Sequence, residues 1–439
     1  MDKQVFADRR KEFMRRMQDG VAFFASAPVR TRNGDVEYEY RQDSDFFYLT
    51  GFEEPESFCV LAPGNPKHEF VLFVRQRDKE KETWTGLREG IEGAILNYGA
   101  ELAHPIEKLE EILPEFLQNA PALFYQINKD PEVDRKIFAM IDSVRQKYRS
   151  GIYPPSRILD PSRVLEDMRV IKSMEEIKTL HKAVNISARA HKAAMKAVRP
   201  GMHEYQIQAI LEYVFRANGS RRNGYPSIVG SGPHTCILHY TENNRIMQDG
   251  DLLLVDAGAE FDYYTGDITR TYPVNGKFSA EQKALYEVVL DAQRKAIYAA
   301  RPGINYAQVH ALAVEALTEG MIHLGLLSGT LQENLENHTY TKYFMHRTGH
   351  WLGLDVHDTG VYRNGDQWRV LEPGMVMTIE PGLYIGGEEE NVFRNIGIRI
   401  EDDVLVTEME PVVLSSACPK EIEELESLLG TASGSFLEC

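Results

Sequence analysis

Two stretches of this chain are written twice, and that repetition limits its possible folds more than any other feature. Arg199-Pro200-Gly201 precedes one helical pattern and Arg301-Pro302-Gly303 precedes another. Further on, DGDLLLVDAG (Asp249 to Gly258) is answered by EPGMVMTIEPG (Glu372 to Gly382). In both, a glycine is followed six residues later by a carboxylate that ends an apolar run, Gly250 to Asp256 and Gly374 to Glu380. Two echoes in the same order indicate a duplicated, pseudo-symmetric unit.

The periodicity around these echoes supplies the elements. Ser173 with Glu176 three positions on forms a capping box, followed by Ile177, Leu180, Val184, Ala188 and Met195 at helical spacing. A second helix carries Ile207, Ile210, Leu211, Val214 and Phe215 and ends near Asn218-Gly219, a pair suited to a C-terminal cap. A third starts at Ser279, with Gln282 three residues on, and turns Leu285, Val288, Val289, Ala292 and Ala296 inward. A fourth, from about Tyr306, turns Val309, Leu312, Ala316 and Leu317 inward. Asp251 to Asp256, Tyr263 to Val274, Met375 to Ile385 and Gly397 to Val406 read as strands.

The first 150 or so residues differ. Short β-rich runs from Val21, Glu56, Glu69 and Ala122 alternate with charged helical stretches such as Ile106 to Phe116, the pattern of an α/β domain. Pro154, Pro155 and Pro161 make residues 151–172 read as a linker. The expected organisation is an α/β domain over 1–172, linker included, and a duplicated α+β domain over 173–439.

Charge and composition remove several function classes. Lys plus Arg is 49 against 66 for Asp plus Glu, a formal net charge of −17, which disfavours binding to nucleic acid or anionic lipid. No run approaches a membrane span, and the N-terminal MDKQVFADRRKEF is too charged for a signal peptide, so the expectation is a cytoplasmic protein. Cys59, Cys236, Cys418 and Cys439 are scattered, which suggests neither a disulfide framework nor a thiolate zinc site.

The acids at the strand ends are the chemical signal. Side chains two apart share a strand face, so Asp256 ends the row Leu252, Leu254 and Glu380 ends the row Val376, Thr378. A buried carboxylate needs a raised pKa, a salt bridge or a metal ion. Asp267 in YYTGDITRTY and Glu401 in GIRIEDDVLV are two more acids on β-like segments, with Arg270 and Arg399 close in sequence, and four separate ion pairs would satisfy them equally well. HRTGHWLGLDVHD (His346 to Asp358) then gathers three of the thirteen histidines, His346, His350 and His357. Arg347 stands where a helical H-E-x-x-H zinc motif needs glutamate, so a loop or short strand presenting a single histidine ligand fits better.

With the order Asp256, Asp267, His350, Glu380, Glu401 and the segments HRTGHWLGLDVHD, MTIEPGLY and GIRIEDD, the chain resembles the metallopeptidase family of aminopeptidase P, prolidase and methionine aminopeptidase, which shares the duplicated pita-bread fold. The resemblance covers about Ser173 to Leu414. YRQDSDFFYLTGF (Tyr40 to Phe52) extends it to an aminopeptidase P type of N-terminal domain, and HYTENNRIMQDGDLLLVDAG is similar to bacterial Xaa-Pro aminopeptidases.

The resemblance implies two divalent ions per subunit, Mn²⁺ first, with Zn²⁺ or Co²⁺ as alternatives, because four carboxylates and one imidazole make an oxygen-rich donor set. It implies that Asp267 and Glu401 bridge both ions, that Asp256 chelates one and that His350 with Glu380 completes the other. It further implies hydrolysis, by a metal-bridged hydroxide, of the bond between an N-terminal residue and a following proline, with Glu380 moving the proton. His239 and His357 would hold the peptide or its oxyanion, Arg399 would orient Glu401, and His346 would touch the proline side. The family commonly has glycine where this chain has Arg347, which either faces solvent or alters substrate approach.

Relatives also imply a homodimer or homotetramer in which a neighbouring subunit walls the site. Trp84 in KETWTGLREG is either such a wall residue or a partly buried surface tryptophan. Prolidase, acting only on Xaa-Pro dipeptides, is the alternative activity; a noncatalytic pita-bread binding protein is the distant one, and all five ligands being present argues against it.

Overall fold

The computed structural model describes residues 2–432. Cys439 therefore lies outside the described residues, and among the described residues the other three cysteines are unpaired thiols. Contacts divide the chain into two compact units, Met1–Met168 and Arg169–Cys439.

In the first unit, apolar runs become a mixed six-stranded sheet: β1 (Val21–Ala25), β2 (Phe58–Leu61), β3 (Phe70–Val74), β4 (Leu102–Pro105), β5 (Leu123–Phe124) and β6 (Ile158–Leu159), in the order β4-β3-β2-β1-β5-β6. β2 pairs antiparallel with β1 and β3, and the remaining pairs are parallel. β2 and β3 are buried along their whole length, so they read as continuous apolar runs rather than alternating ones. Val21, Phe23, Val60 and Phe73 pack with Leu113 and Leu117 of helix Leu109–Leu117 and with Ile137, Met140 and Val144 of helix Pro131–Arg145. On the other side Phe24 meets Phe13 of helix Lys3–Met17, ring centroids 5.5 Å apart.

The segment read as a linker is structured. It contains β6, paired to the sheet, and helix Ser162–Val170. Pro161 starts that helix instead of preventing it: its carbonyl accepts the N–H groups of Val164 and Leu165, and proline at a helix start forfeits no hydrogen bond. Trp84, at the end of helix Lys79–Thr85, is 85% exposed rather than partly buried.

The second unit is duplicated. Helix Met174–Ala197 packs on Glu204–Ala217, and Ala280–Ala299 packs on Tyr306–His323. The capping boxes at Ser173 and Ser279 form with their Glu176 and Gln282 partners. Leu312 is a correction: it is 39% exposed, and the adjacent Ala313 faces the core instead. The echoes are structural as well as textual. Gly201 and Gly303 have φ of 89° and 88°, Gly250 and Gly374 have 84° and 92°, all values that favour glycine. His203 bridges to Ile246 in one half and Asn305 to Val370 in the other, tying each second helix to the loop before its strand.

The strands differ from expectation where it matters most. β7 (Ile228–Ser231), β8 (Leu252–Asp256) and β9 (Thr269–Pro273) form an antiparallel sheet, but Tyr263 to Val274 is not one strand: Tyr264–Thr265 and β9 are separated by the turn that holds Asp267. Met375 to Ile385 breaks into β10 (Val376–Ile379) and β11 (Gly382–Ile385) around Glu380, and Gly397 to Val406 breaks into β12 (Ile396–Arg399) and β13 (Asp402–Leu405) around Glu401. β10 pairs with β13 and β11 with β12. The ladder is interrupted at Asp267, Glu380 and Glu401, whereas Asp256 stays paired to both Ile228 and Thr269.

Candidate metal centre

The strand breaks bring the expected residues to one cavity of about 770 Å³, lined by Asp256, Asp267, His350, Glu380 and Glu401 together with His239, His346, His357 and Arg399. Asp267, His350 and Glu401 converge most closely, with one ligand atom from each within 4.8 Å of the others. His350 Nε2 lies 3.4 Å from Asp267 Oδ2 and 3.6 Å from Glu380 Oε1. Asp256 is set slightly apart, its Oδ2 2.7 Å from the Arg399 guanidinium.

The local backbone explains the convergence. His350 follows Gly349, where a Cβ would fall 1.8 Å from the Thr378 carbonyl oxygen, so only glycine lets this segment lie against β10. There the His350 N–H donates to Thr378 Oγ1 at 3.0 Å, and Thr378 in turn donates to Glu380 Oε1 at 3.2 Å. His350 Nδ1 sits 3.0 Å from the Trp351 carbonyl, which fixes the tautomer that offers Nε2 to the acids. The two halves of the unit meet at Glu401: its N–H donates to the Thr269 carbonyl at 3.1 Å, and its Oε2 accepts from Thr269 Oγ1 at 2.6 Å.

Two pairings expected from sequence are replaced. Arg399 was placed on the Glu401 face, yet it binds Asp256 and reaches Glu401 only through Thr269, whose Oγ1 is 3.2 Å from the Arg399 Nε. The two-apart rule fails because the strand ends between them. Arg270, close to Asp267 in sequence, pairs instead with the buried Asp402 at 2.7 Å and donates to the Cys418 carbonyl. Neither Asp267 nor Glu401 is thereby neutralised by an adjacent arginine, which removes the reading as four separate ion pairs.

The electrostatics are those of an under-compensated acid cluster. Burial, reinforced by Asp267, Glu380 and Asp256, holds the Glu401 carboxyl well above the usual range. Burial raises Asp256 too, against the pull of Arg399. Glu380 is pushed up to about 7 by burial, with His350 and Arg399 opposing and Asp267 and Asp256 reinforcing. Burial disfavours the His350 imidazolium, but the hydrogen bond to Asp267 and the charges of Glu380 and Asp267 outweigh it, lifting His350 to about 9. Tyr225, missed in the sequence, places its hydroxyl 2.7 Å from Asp256 Oδ1 and 2.5 Å from Asp267 Oδ1. One hydroxyl proton cannot serve two carboxylates at once. A donor set of four oxygens and one imidazole, short of positive charge, fits divalent cations, which reverse these shifts when bound.

The remaining expected residues face the same cavity. His239 and His357 are exposed at its wall and make no hydrogen bond among the described residues; the His357 ring packs edge-on to His350, centroids 4.3 Å apart. His346 is held at both nitrogens, Nδ1 2.7 Å from the Arg347 carbonyl and Nε2 2.9 Å from the Tyr384 hydroxyl. Tyr384, Thr269 and Thr378, like Tyr225, were not singled out in sequence. Only Thr378 left a trace, on the same strand face as Glu380.

Comparison with known proteins follows the same division. The model for metallopeptidase family M24 matches residues 178–408, and that for the aminopeptidase P N-terminal domain matches 6–125. Xaa-Pro aminopeptidase of Escherichia coli (strain K12) is 41% identical over 436 residues, covering 98% of this chain and 99% of that protein. Among solved structures, the aminopeptidase PepP of Pseudomonas aeruginosa is 47% identical, with a TM-score of 0.96 and 98% of both chains covered. A zinc-substituted E. coli aminopeptidase P in complex with product has 40% identity and a TM-score of 0.96, over 99% of this chain and 100% of that one.

Proposed function

We propose, from the premise that this chain belongs to metallopeptidase family M24 and carries an aminopeptidase P type of N-terminal domain, that it is a metal-dependent Xaa-Pro aminopeptidase, releasing an N-terminal residue when proline follows. The observation that carries the reading is the convergence of Asp267, His350 and Glu401 within 4.8 Å, beside Asp256 and Glu380, in one cavity.

Those five residues would hold two divalent ions. Four carboxylate charges balance two dications, which accounts for so many acids at apolar strand ends; the oxygen-rich set favours Mn²⁺, with Zn²⁺ or Co²⁺ as alternatives. Bound there, the ions supply an activated water and an electrophile for the scissile carbonyl. The chain's own groups do the rest. Glu380 keeps 17% of its side-chain surface open to the cavity, against 6% for Asp267, so its carboxylate is placed to carry a proton from water to the leaving proline nitrogen. His239 and His357 can donate N–H groups to the peptide carbonyl or its developing oxyanion. His346, locked by Tyr384, offers a rigid surface to the proline side, and Arg399 holds Asp256 in place.

The reading extends to the cytoplasm and to a homodimer or homotetramer. The free thiols at Cys59, Cys236 and Cys418 support the first, and Trp84 and Leu87, 85% and 83% exposed on one segment, support the second. One preparation tests all but the compartment, by metal analysis, light scattering and a peptide panel. We expect about two ions per chain, a mass above 50.0 kDa and cleavage of both Xaa-Pro dipeptides and longer Xaa-Pro peptides. Cleavage of dipeptides alone would make the protein a prolidase, no stoichiometric metal would make it a noncatalytic binding protein, and a monomer only would remove the assembly.

A further inference from the structure

The proposed reaction leaves one cation of the cavity unused. Two arginines line it, Arg347 and Arg399. Arg399 is buried and committed to Asp256. Arg347 is exposed at the wall, and its guanidinium makes no hydrogen bond or ion pair among the described residues, although its charge is felt by Tyr306 and His310.

The backbone on either side of this free side chain is fixed. The Arg347 carbonyl lies 2.7 Å from His346 Nδ1, and the His346 ring is itself anchored to Tyr384. The next residue, Thr348, is buried, with Oγ1 2.7 Å from His310 Nδ1, and its carbonyl accepts the Glu380 N–H at 2.7 Å. The Arg347 Cα is therefore held in register with a proposed metal ligand while its guanidinium stays available. Tyr306, Tyr362 and Trp368 line the same cavity, and aromatic surroundings strengthen any charge pair formed beside them. The chain's net charge of −17 repels anionic ligands in general, so an unpaired guanidinium at the wall is where an anionic group could be received.

We propose that Arg347 is a specificity residue that reads a carboxylate on the peptide beyond the scissile bond, supplied either by the C-terminus of a short substrate or by an acidic side chain after the proline. Guanidinium and carboxylate match as a planar fork, which makes this chemistry more selective than simple charge attraction. The inference rests on the Xaa-Pro reading of the site.

The test compares metal-loaded wild type, Arg347→Gln and Arg347→Lys on two substrate pairs: Ala-Pro-Ala as free acid against its amide, and Ala-Pro-Glu-Ala-amide against Ala-Pro-Gln-Ala-amide. We expect wild type to favour the charged member of at least one pair by about fivefold in kcat/KM, mostly through KM, as suits a partly solvated ion pair. That ratio should fall to about one in Arg347→Gln and be partly restored in Arg347→Lys, a pattern that general loss of activity cannot produce. A preference in the first pair alone identifies the C-terminus, and in the second alone the side chain. Ratios near one for both pairs in wild type, or a preference that survives in Arg347→Gln, overturn the proposal. Calorimetric binding of the products Pro-Ala, Pro-Glu-Ala-amide and their neutral partners repeats the comparison without turnover. If no proline peptide is cleaved, the activity reading fails while the binding ratios still decide the role of Arg347.

Discussion

Among the described residues, every buried carboxylate belongs to the second unit, from Glu176 and Glu204 to Glu401, Asp402 and Asp403. The buried polar side chains of the first unit are Arg9, Arg10, Gln42, Ser44, Thr50 and Ser57, most of them bonded to nearby carbonyls, as Arg10 is to Leu49 and Gln42 to Phe52. The first unit is held by apolar burial with a few satisfied polar groups, whereas the second carries its acids in charged networks such as Arg169–Asp358–Lys172 and Arg270–Asp402–Lys420. Buried charge is a weak source of stability, because removing two ions from water offsets much of their attraction. The unit that tolerates it is the one that would use it for chemistry.

The contrast can be tested at both ends. Glu380→Ala should lower kcat by about two to four orders of magnitude, as expected for loss of a general acid–base group, while circular dichroism and the thermal midpoint stay close to wild type. Undiminished activity would remove Glu380 from the mechanism. Phe23→Ala, in the first unit, removes a ring that is 1% exposed and packs edge-on to Phe58 at 5.7 Å; it should cost about 3–5 kcal/mol in denaturant unfolding while the metal content of the folded protein is unchanged. Loss of metal in step with stability would mean the units do not behave separately.

A third expected effect is on acid stability. Burial pushes His191 and His310, both in the second unit, down to about 4. A histidine depressed in the folded state is neutral there while the unfolded chain takes up a proton below about pH 6.5, so its stabilising share is complete above that pH and lost as the pH falls toward 4. The loss is about 1.4 kcal/mol per pH unit for each histidine across that window. The first unit has His104 shifted the same way by burial. Melting of wild type and His310→Gln at pH 7 and pH 5 should therefore show a smaller acid loss in the variant, and equal losses would remove the histidine's share.

Much of this was legible in the sequence, for local reasons. Capping boxes at Ser173 and Ser279 and the cap at Asn218-Gly219 are settled by residues a few positions apart, and they form where the pattern puts them. What was misread also has local causes. Apolar runs through Asp267, Glu380 and Glu401 looked like unbroken strands because period-two alternation does not register where hydrogen bonding stops. Proline at 154, 155 and 161 suggested a linker because a helix start and a helix stop look alike when only the proline is seen.

The sequence by itself determined that the chain contains a duplicated unit, where its principal helices start and which acids and histidine stand in ligand order, since periodicity, capping and residue identity are properties of neighbours. Tertiary structure alone decided the partners. Arg399 holds Asp256 rather than Glu401, Arg270 holds Asp402 rather than Asp267, and Tyr225 spans two acids from an earlier loop. A carboxylate's partner is set by which strand ends are brought within about 3–4 Å, and in this fold those ends belong to segments as far apart in sequence as Asp256 and Arg399.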